Sequence, residues 1–165
     1  MRVLLVRHAE AVNADLAPSD AERWLTDKGR ETARRVGKWL LGEGLRFDRV
    51  FTSPLVRAVQ TAEILAAATN FDQAVEVRRA LGGGSTAEIA SILDDTADDD
   101  LTALVGHEPS IRTVTAHLIG FDRFAPFRTG GACLVQRVGA ASGSFQWMVD
   151  PKSLTKIDSL EDLGQ

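Results

Sequence analysis

Short apolar runs alternate along the chain with longer stretches in which apolar residues recur every three or four positions. The runs have the length and composition of buried strands. The longer stretches have the spacing of helices that bury one face, as Ala33, Val36 and Leu40 illustrate. The pattern therefore predicts strands at residues 3–6, 49–53, 74–78 and 101–106, with a helix after each of them.

Capping residues and glycines mark the expected ends of these helices. The four helices are predicted to begin at Thr26, at the pair Ser53 and Pro54, at Ser85 or Thr86, and at Pro109. Gly42 or Gly44 ends the first helix, and Gly120 ends the fourth.

The last third of the chain has a different pattern. Its two apolar segments, "ACLVQRV" and "FQWMV", follow each other closely and predict an antiparallel pair around residues 139–143. The alternation that precedes them implies helices on both faces of a largely parallel sheet. The predicted fold class is α/β, with a single three-layer domain over residues 1–165, a mainly parallel central sheet and an antiparallel C-terminal strand pair.

Composition narrows the range of partners. The chain has 165 residues, 44% of them hydrophobic, and a formal net charge of -4, which argues against a general nucleic-acid-binding protein. No apolar run is long enough to cross a bilayer, and the N-terminus lacks the features of a signal peptide. A single cysteine excludes an internal disulfide, so we expect a cytoplasmic location. The oligomeric state stays open.

Candidate chemistry is concentrated where the predicted strands end. Ligands of such sheets bind beyond the carboxyl ends of the strands. Arg7 and His8 follow the first strand, Ser53 and Arg57 follow the second, and His107 follows the fourth. Arg57 falls in the first turn of its helix, where backbone N–H groups favour an anion. Two arginines and two of the three histidines are thus predicted to meet at one edge.

These residue types suit phosphoryl chemistry. An arginine fork matches two oxygens of a phosphoryl group, and a neutral imidazole is a competent nucleophile. Each residue taken alone has a common structural explanation, such as a solvated strand end. Their convergence favours a phosphate site.

The motifs "VRHAEA", "LTDKG", "TSPLVRAVQTA" and "VGHEP" resemble, in this order, four signature stretches of the histidine phosphatase superfamily. The chain length and the tail "FQWMVDPKSL" are similar to its SixA-like phosphohistidine phosphatase branch. The resemblance extends over nearly the whole chain.

The resemblance implies a role for each site residue. His8 would attack phosphorus and carry the phosphoryl group, while Arg7, Arg57 and His107 would hold its oxygens. Secondary candidates for substrate contact are Ser53, Asn13 and Glu10. No cofactor and no metal would be required, because the arginines supply the positive charge.

Two departures from the superfamily pattern bear on function. Ala9 stands where the superfamily has a glycine, and we expect a local backbone conformation that alanine accepts. No carboxylate occurs between Glu76 and Glu88, where phosphomonoesterases of the superfamily carry a general acid. Glu10 and Glu88 are the possible surrogates. A missing acid is tolerable when the leaving group is an imidazole, which favours phosphohistidine as the substrate.

The connection between the third and fourth strands is short, which leaves little chain to cover the site. An open site suits a phosphorylated side chain on another protein. Two alternatives remain: a phosphatase of small phosphorylated molecules that uses an unrecognised acid, and a phosphate- or phosphoprotein-binding module without turnover.

Overall fold

A seven-stranded mixed sheet forms the centre of the computed structural model, which describes residues 1–138 and 142–164. The strands are β1 (Arg2–Arg7), β2 (Arg49–Thr52), β3 (Glu76–Val77), β4 (Leu101–Gly106), β5 (Ala132–Val138), β6 (Ser142–Val149) and β7 (Lys156–Ile157). Their order across the sheet is β3-β2-β4-β1-β5-β6-β7. The first four strands of the chain pair in parallel, and β5, β6 and β7 extend the sheet in antiparallel fashion.

Four α-helices and several short 3₁₀ helices connect the strands. The α-helices are α1 (Asp27–Gly42), α2 (Val56–Ala68), α3 (Thr86–Ser91) and α4 (Ser110–Ile119). The 3₁₀ helices lie at Ala14–Leu16, Asp20–Glu22, Arg79–Gly82, Ile92–Asp95 and Leu160–Gly164. None of the helices in the described residues is long and apolar enough to span a membrane.

The central strand β1 shows why helices cover both faces of the sheet. Its four apolar residues are fully buried, and successive side chains point to opposite faces. Leu4 and Val6 belong to the core cluster that includes α1 and α2. Val3 and Leu5 belong to the cluster that includes α3 and α4. The predicted α/β class with three layers is therefore confirmed.

The predicted helix ends are partly confirmed. Thr26 is the N-cap of α1, and its side chain accepts a hydrogen bond from the Gly29 amide. Ser85 and Glu88 form a reciprocal capping box at the start of α3. Gly120 ends α4 with a φ of 66°, a left-handed conformation that glycine adopts without a steric penalty.

Other boundaries were predicted incorrectly. Helix α2 begins at Val56 after an extended Leu55, so Ser53 is not its N-cap. The third strand is reduced to Glu76–Val77, and β7 was not anticipated. The predicted turn around residues 139–143 falls largely on residues 139–141, which lie outside the described residues. Short edge strands make few ladder bonds, so the sequence pattern marks them weakly.

Candidate active site

The topology brings the candidate residues together. Because β4 lies between β2 and β1, the carboxyl ends of these three strands are neighbours at one edge of the sheet. The pairing continues one residue beyond the strands, since the amide of His8 donates to the Gly106 carbonyl and that of Ser53 to the Val105 carbonyl, each at 3.0 Å. These bonds fix where the functional side chains leave the sheet.

Hydrogen bonds at both ring nitrogens define the state of His8. Its Nδ1 lies 2.7 Å from the Ala9 carbonyl oxygen, which can only accept. Nδ1 must therefore carry the proton, and Nε2 of the neutral ring holds a lone pair. The Nε–H of Arg57 donates to that Nε2 at 3.3 Å. The ring is thus fixed in the tautomer that a nucleophilic Nε2 requires.

The turn after His8 is tied to α2 through one hydroxyl group. The Ala9 amide donates to Thr61 Oγ1 at 3.0 Å, and Thr61 donates in turn to the Arg57 carbonyl at 2.7 Å. Ala9 is fully buried. In the described chain, the only non-glycine residues with positive φ are Asn70 and Leu154. The backbone at Ala9 therefore accepts alanine without left-handed strain, as the sequence analysis predicted.

The guanidinium of Arg57 is buried and fixed at two edges. Its side chain is 8% exposed. Nη1 donates to the Asp20 carbonyl at 2.7 Å, and Nη2 donates to Asp20 Oδ2 at 3.1 Å. These bonds orient the group so that its Nε–H points at His8.

Ser53 orients the second histidine. The Oγ of Ser53 lies 2.7 Å from His107 Nε2 and accepts from the Leu55 amide at 3.2 Å. The centroids of the His107 and His8 rings are 5.0 Å apart, with an angle of 54° between the ring planes. Ser53 is fully buried, and the contact that the structure gives its hydroxyl at the site is with His107, so a direct contact of Ser53 with substrate stays a prediction.

Arg7 closes the site from the side of β5. Its Nη1 donates to the Phe127 carbonyl at 2.6 Å, and the Phe127 amide donates to Glu108 Oε1 at 3.0 Å. Glu108, beside His107, therefore helps to hold the loop that orients Arg7. The buried Arg7 Nε and His107 Nδ1 have no hydrogen-bond partner among the described residues.

Both site histidines are held neutral. Burial is the main reason that the pKa of His8 is lowered to about 4; the nearby His107, Arg57 and Arg7 contribute to the lowering, and the bond to Ala9 opposes it. Burial is also the main reason that the pKa of His107 is lowered to about 4; Arg57 and Arg7 contribute, and the Asp20 carboxylate opposes the lowering. At neutral pH the two rings therefore carry no charge and His8 keeps its lone pair.

The carboxylates considered as surrogate acids are both held in the charged form. Glu10 accepts hydrogen bonds from Lys28 at 3.1 Å and Thr26 at 2.9 Å, and these contacts lower its pKa. Hydrogen bonds from Ser85 lower the pKa of Glu88. Neither group is set up to donate a proton at neutral pH.

Asn13 is exposed and precedes the short helix Ala14–Leu16. Among the described residues, the Asn13 side chain is not a partner in the side-chain hydrogen bonds given above for Arg7, His8, Arg57 and His107. The described residues also contain no group of three or more His, Cys, Asp or Glu side chains that could hold a metal ion.

A cleft of about 580 Å³ adjoins the site on the side of α1. Arg7 and Glu10 line it, together with Lys28, Arg35 and Arg128, while His8, Arg57 and His107 lie outside it. The candidate site is therefore defined by the contacts that join His8, Arg57 and His107, and the cleft is a neighbouring surface that shares Arg7 with it.

Sequence reasoning missed three contributors to the site. Asp20 lies in the short 3₁₀ helix Asp20–Glu22, and Glu108 and Phe127 lie in loops; a pattern of strand ends places none of the three. The four-residue spacing from Arg57 to Thr61 does place both on one helical face, so this contact had a usable signal.

Comparison with known proteins identifies the family of this chain. The family model described as "Histidine phosphatase superfamily (branch 1)" matches residues 3–83, the part that contains His8 and Arg57. An uncharacterized protein of Picosynechococcus sp. is 35% identical over 113 residues, which cover 67% of this chain and 68% of that protein. The chain belongs to the histidine phosphatase superfamily, and it is an enzyme of the phosphatase class.

Two further matches cover almost the full length. Phosphohistidine phosphatase SixA of Escherichia coli (strain K12) is 28% identical over 157 residues, which cover 93% of this chain and 96% of SixA. A solved structure of the protein histidine phosphatase SixA complexed with tungstate superposes with a TM-score of 0.86 and 27% identity. It covers 94% of this chain and 100% of that chain.

Proposed function

We propose that this protein is a metal-independent phosphatase that removes phosphate from phosphohistidine on another protein through a covalent intermediate on His8. The observation that carries the proposal is the state of His8, whose Nδ1–H is bonded to the Ala9 carbonyl while Nε2 faces a guanidinium N–H. A lone pair is thereby presented to the position where an anion would bind.

In the proposed first step, the Nε2 lone pair of His8 forms a bond to phosphorus. The bond from phosphorus to the substrate nitrogen breaks, and its electron pair returns to the leaving imidazole. In the second step, water attacks phosphorus, the bond to Nε2 breaks, and inorganic phosphate and a proton leave. The Nδ1–H bond to Ala9 holds the ring in one orientation through both steps.

Arg7, Arg57 and His107 would hold the phosphoryl oxygens. The guanidinium of Arg57 keeps N–H groups beyond those bonded to Asp20 and His8, and the guanidinium of Arg7 keeps N–H groups beyond the one bonded to the Phe127 carbonyl. Preorganised donors of this kind stabilise the charge that develops during phosphoryl transfer. The two guanidinium groups supply positive charge that a metal ion supplies in other phosphatases.

The choice of substrate rests on the leaving group. The pKa of Glu10 and that of Glu88 are both lowered, so neither carboxyl is a ready proton donor. An alkoxide leaving group needs such a donor, whereas an imidazole can leave with a proton already on its second nitrogen.

The geometry around the site also suits a protein substrate. The chain between β3 and β4 packs into the core instead of covering the site, since Leu81, Ile89 and Leu93 are each 1% exposed. The relative SixA is named a phosphohistidine phosphatase, and its solved structure holds tungstate, a tetrahedral oxyanion like phosphate. Both facts support the same substrate class and the same kind of anion site here.

The experiment is a parallel turnover assay with a phosphohistidine-bearing protein, phosphoimidazole, an aryl phosphate with an acidic phenol, and an alkyl phosphate. We expect phosphohistidine and phosphoimidazole to react fastest, the aryl phosphate measurably and the alkyl phosphate hardly at all, with no loss of rate in a chelator.

Brisk alkyl phosphate hydrolysis that either Glu10→Gln or Glu88→Gln removes selectively would reveal a general acid. It would establish the alternative of a small-molecule phosphomonoesterase. A protein that binds phosphate but turns over none of the four substrates would be a binding module. Loss of activity in chelator would contradict the metal-free mechanism.

A further inference from the structure

Asp20 contacts the site through both its carboxylate and its carbonyl group, and the proposed mechanism gives it no part in the reaction. Its carboxylate accepts from Arg57 Nη2 through Oδ2 at 3.1 Å and from Arg23 Nη1 through Oδ1 at 3.0 Å. Its carbonyl accepts from Arg57 Nη1 at 2.7 Å. One guanidinium thus separates this carboxylate from the Nε2 atom of His8.

Asp20 is accessible as well as close to the reacting atoms. The Arg57 side chain is 8% exposed, but that of Asp20 is 63% exposed, so the carboxylate lies at the open side of the buried guanidinium. It belongs to the short helix Asp20–Glu22, which contains no buried residue among those described.

The charge of Asp20 is maintained by its neighbours. Hydrogen bonds from Arg23 and Arg57 lower the pKa of its carboxyl group, so it is ionised at neutral pH. It is therefore an acceptor and not a proton donor. Each carboxylate oxygen has more than one lone-pair direction, so the group can accept another hydrogen bond while it keeps both arginines.

We infer that Asp20 is a specificity-determining residue that accepts a hydrogen bond from the distal ring nitrogen of the leaving imidazole. The inference rests on the proposed function and names the part of the site that selects its substrate class. It assigns to Asp20 the same task for the substrate ring that the Ala9 carbonyl performs for His8.

The chemistry of the step balances without a general acid. Before reaction, the substrate ring carries phosphorus on one nitrogen and a proton on the other. As the Nε2 lone pair of His8 bonds to phosphorus, the electron pair of the breaking bond returns to the substrate ring, which leaves as neutral imidazole. The carboxylate of Asp20 favours the protonated, more reactive form of the bound ring, and no proton has to move during the transfer.

The same charge disfavours other leaving groups. A phosphate ester develops negative charge on its leaving oxygen, which a nearby carboxylate repels. Asp20 therefore separates substrates by the charge of the leaving group, whereas Arg7 and Arg57 act on the phosphoryl group that all substrates share.

The test compares wild type with Asp20→Asn in single-turnover measurements. Asparagine keeps an oxygen acceptor for Arg57 and removes the charge. With phosphoimidazole, we expect formation of the phosphoenzyme to slow by roughly 10- to 100-fold, as for the loss of one charge-assisted hydrogen bond. With an aryl phosphate of an acidic phenol, the rate should not fall and should rise by less than about threefold, because the charge that repels the leaving oxygen is removed. Breakdown of the phosphoenzyme, which involves no leaving imidazole, should be unchanged.

Asp15→Asn is the matched control, because it removes the same charge from an exposed residue of the same connection. It should leave both rates unchanged. Equal losses with both substrates in Asp20→Asn would overturn the inference, since Asp20 would then only position Arg57. Hydrolysis of the aryl phosphate, but not of phosphoimidazole or a phosphohistidine protein, by wild type would instead contradict the proposed function. This outcome is read from the wild-type measurements and does not depend on the Asp20 variant.

Discussion

Arg57 Nε lies 3.3 Å from His8 Nε2, and this contact fixes which nitrogen of the histidine ring holds a lone pair. An N–H can donate only to a nitrogen with a lone pair, so Nε2 is the atom to which the proposed mechanism assigns the attack. The same guanidinium is oriented by two bonds to Asp20. In the proposed mechanism, a phosphoryl group that binds Arg57 is therefore brought directly to His8 Nε2.

Substitutions of Arg57 should show that the planar shape of its guanidinium, as well as its charge, contributes to activity. Arg57→Ala is expected to lower kcat/KM by roughly a hundredfold or more, because a preorganised charge contact is lost. Arg57→Lys should recover little of this, since an ammonium cannot contact His8 and both Asp20 acceptors in one plane. Steady-state kinetics with the exposed Arg34→Ala as control check this. Full activity of the lysine variant would contradict the geometric argument.

Thr61 should affect activity although it is buried away from substrate. Thr61→Val removes the acceptor of the Ala9 amide, and a buried N–H without a partner costs about 1–3 kcal/mol. We expect a lower free energy of unfolding and a lower kcat. Thr115→Val is the matched control, because Thr115 is also buried and bonds only to the carbonyl of Ile111, four residues earlier. Similar losses of kcat in both variants would argue against a specific link to His8.

The two neutral histidines make stability sensitive to acid. In the unfolded chain each ring titrates near 6.5, whereas in the folded protein the pKa of each is about 4. Between these values the unfolded state binds more protons, so stability is complete above pH 6.5 and is lost as pH falls towards 4. For His8 the full loss is on the order of 3 kcal/mol, and for the more exposed His107 solvent screening makes the loss smaller.

His8→Asn and His107→Asn should each reduce this dependence. Chemical denaturation at pH 7 and pH 5 measures it, and the loss of stability between these pH values should be smaller in either variant than in wild type. An unchanged pH dependence in both variants would contradict the assignment of two neutral buried rings.

Gly29 should tolerate no side chain. A Cβ at this position would overlap the carbonyl oxygen of Glu10, which also accepts from the Thr26 amide at 3.0 Å. Gly29→Ala must therefore displace the chain just after His8, and we expect both activity and melting temperature to fall. Gly42→Ala in the same helix meets nothing within 4 Å and should raise stability by about 0.5–1 kcal/mol. Equal behaviour of the two variants would refute the close approach.

The strands and helices that could be predicted from the sequence are those marked by a regular spacing of apolar residues. Buried strands and amphipathic helices gave the order of elements, and the rule for strand ends then placed His8, Arg57 and His107 at one edge. The departure at Ala9 was also interpreted correctly, because the backbone there does not have the positive φ that would require glycine.

The parts that were missed depend on loop geometry. Ser53 was predicted both as a helix cap and as a residue of the site, but its contact with His107, a partner 54 residues away, was not predicted. Asp20 carries no periodic signal, since it lies on a solvent-exposed connection and is placed only by its bonds to Arg57 and Arg23. Such contacts are fixed by tertiary packing, which a local pattern does not encode.

The most direct test of the account is the location of the phosphoryl group during turnover. The protein is mixed with radiolabelled phosphoimidazole, quenched in alkali within one turnover, digested and mapped. The account predicts an alkali-stable, acid-labile phosphate on the peptide that contains His8, and none in His8→Asn, which should be folded and inactive. Label on His107, or turnover without any labelled protein, would contradict the central role of His8 Nε2.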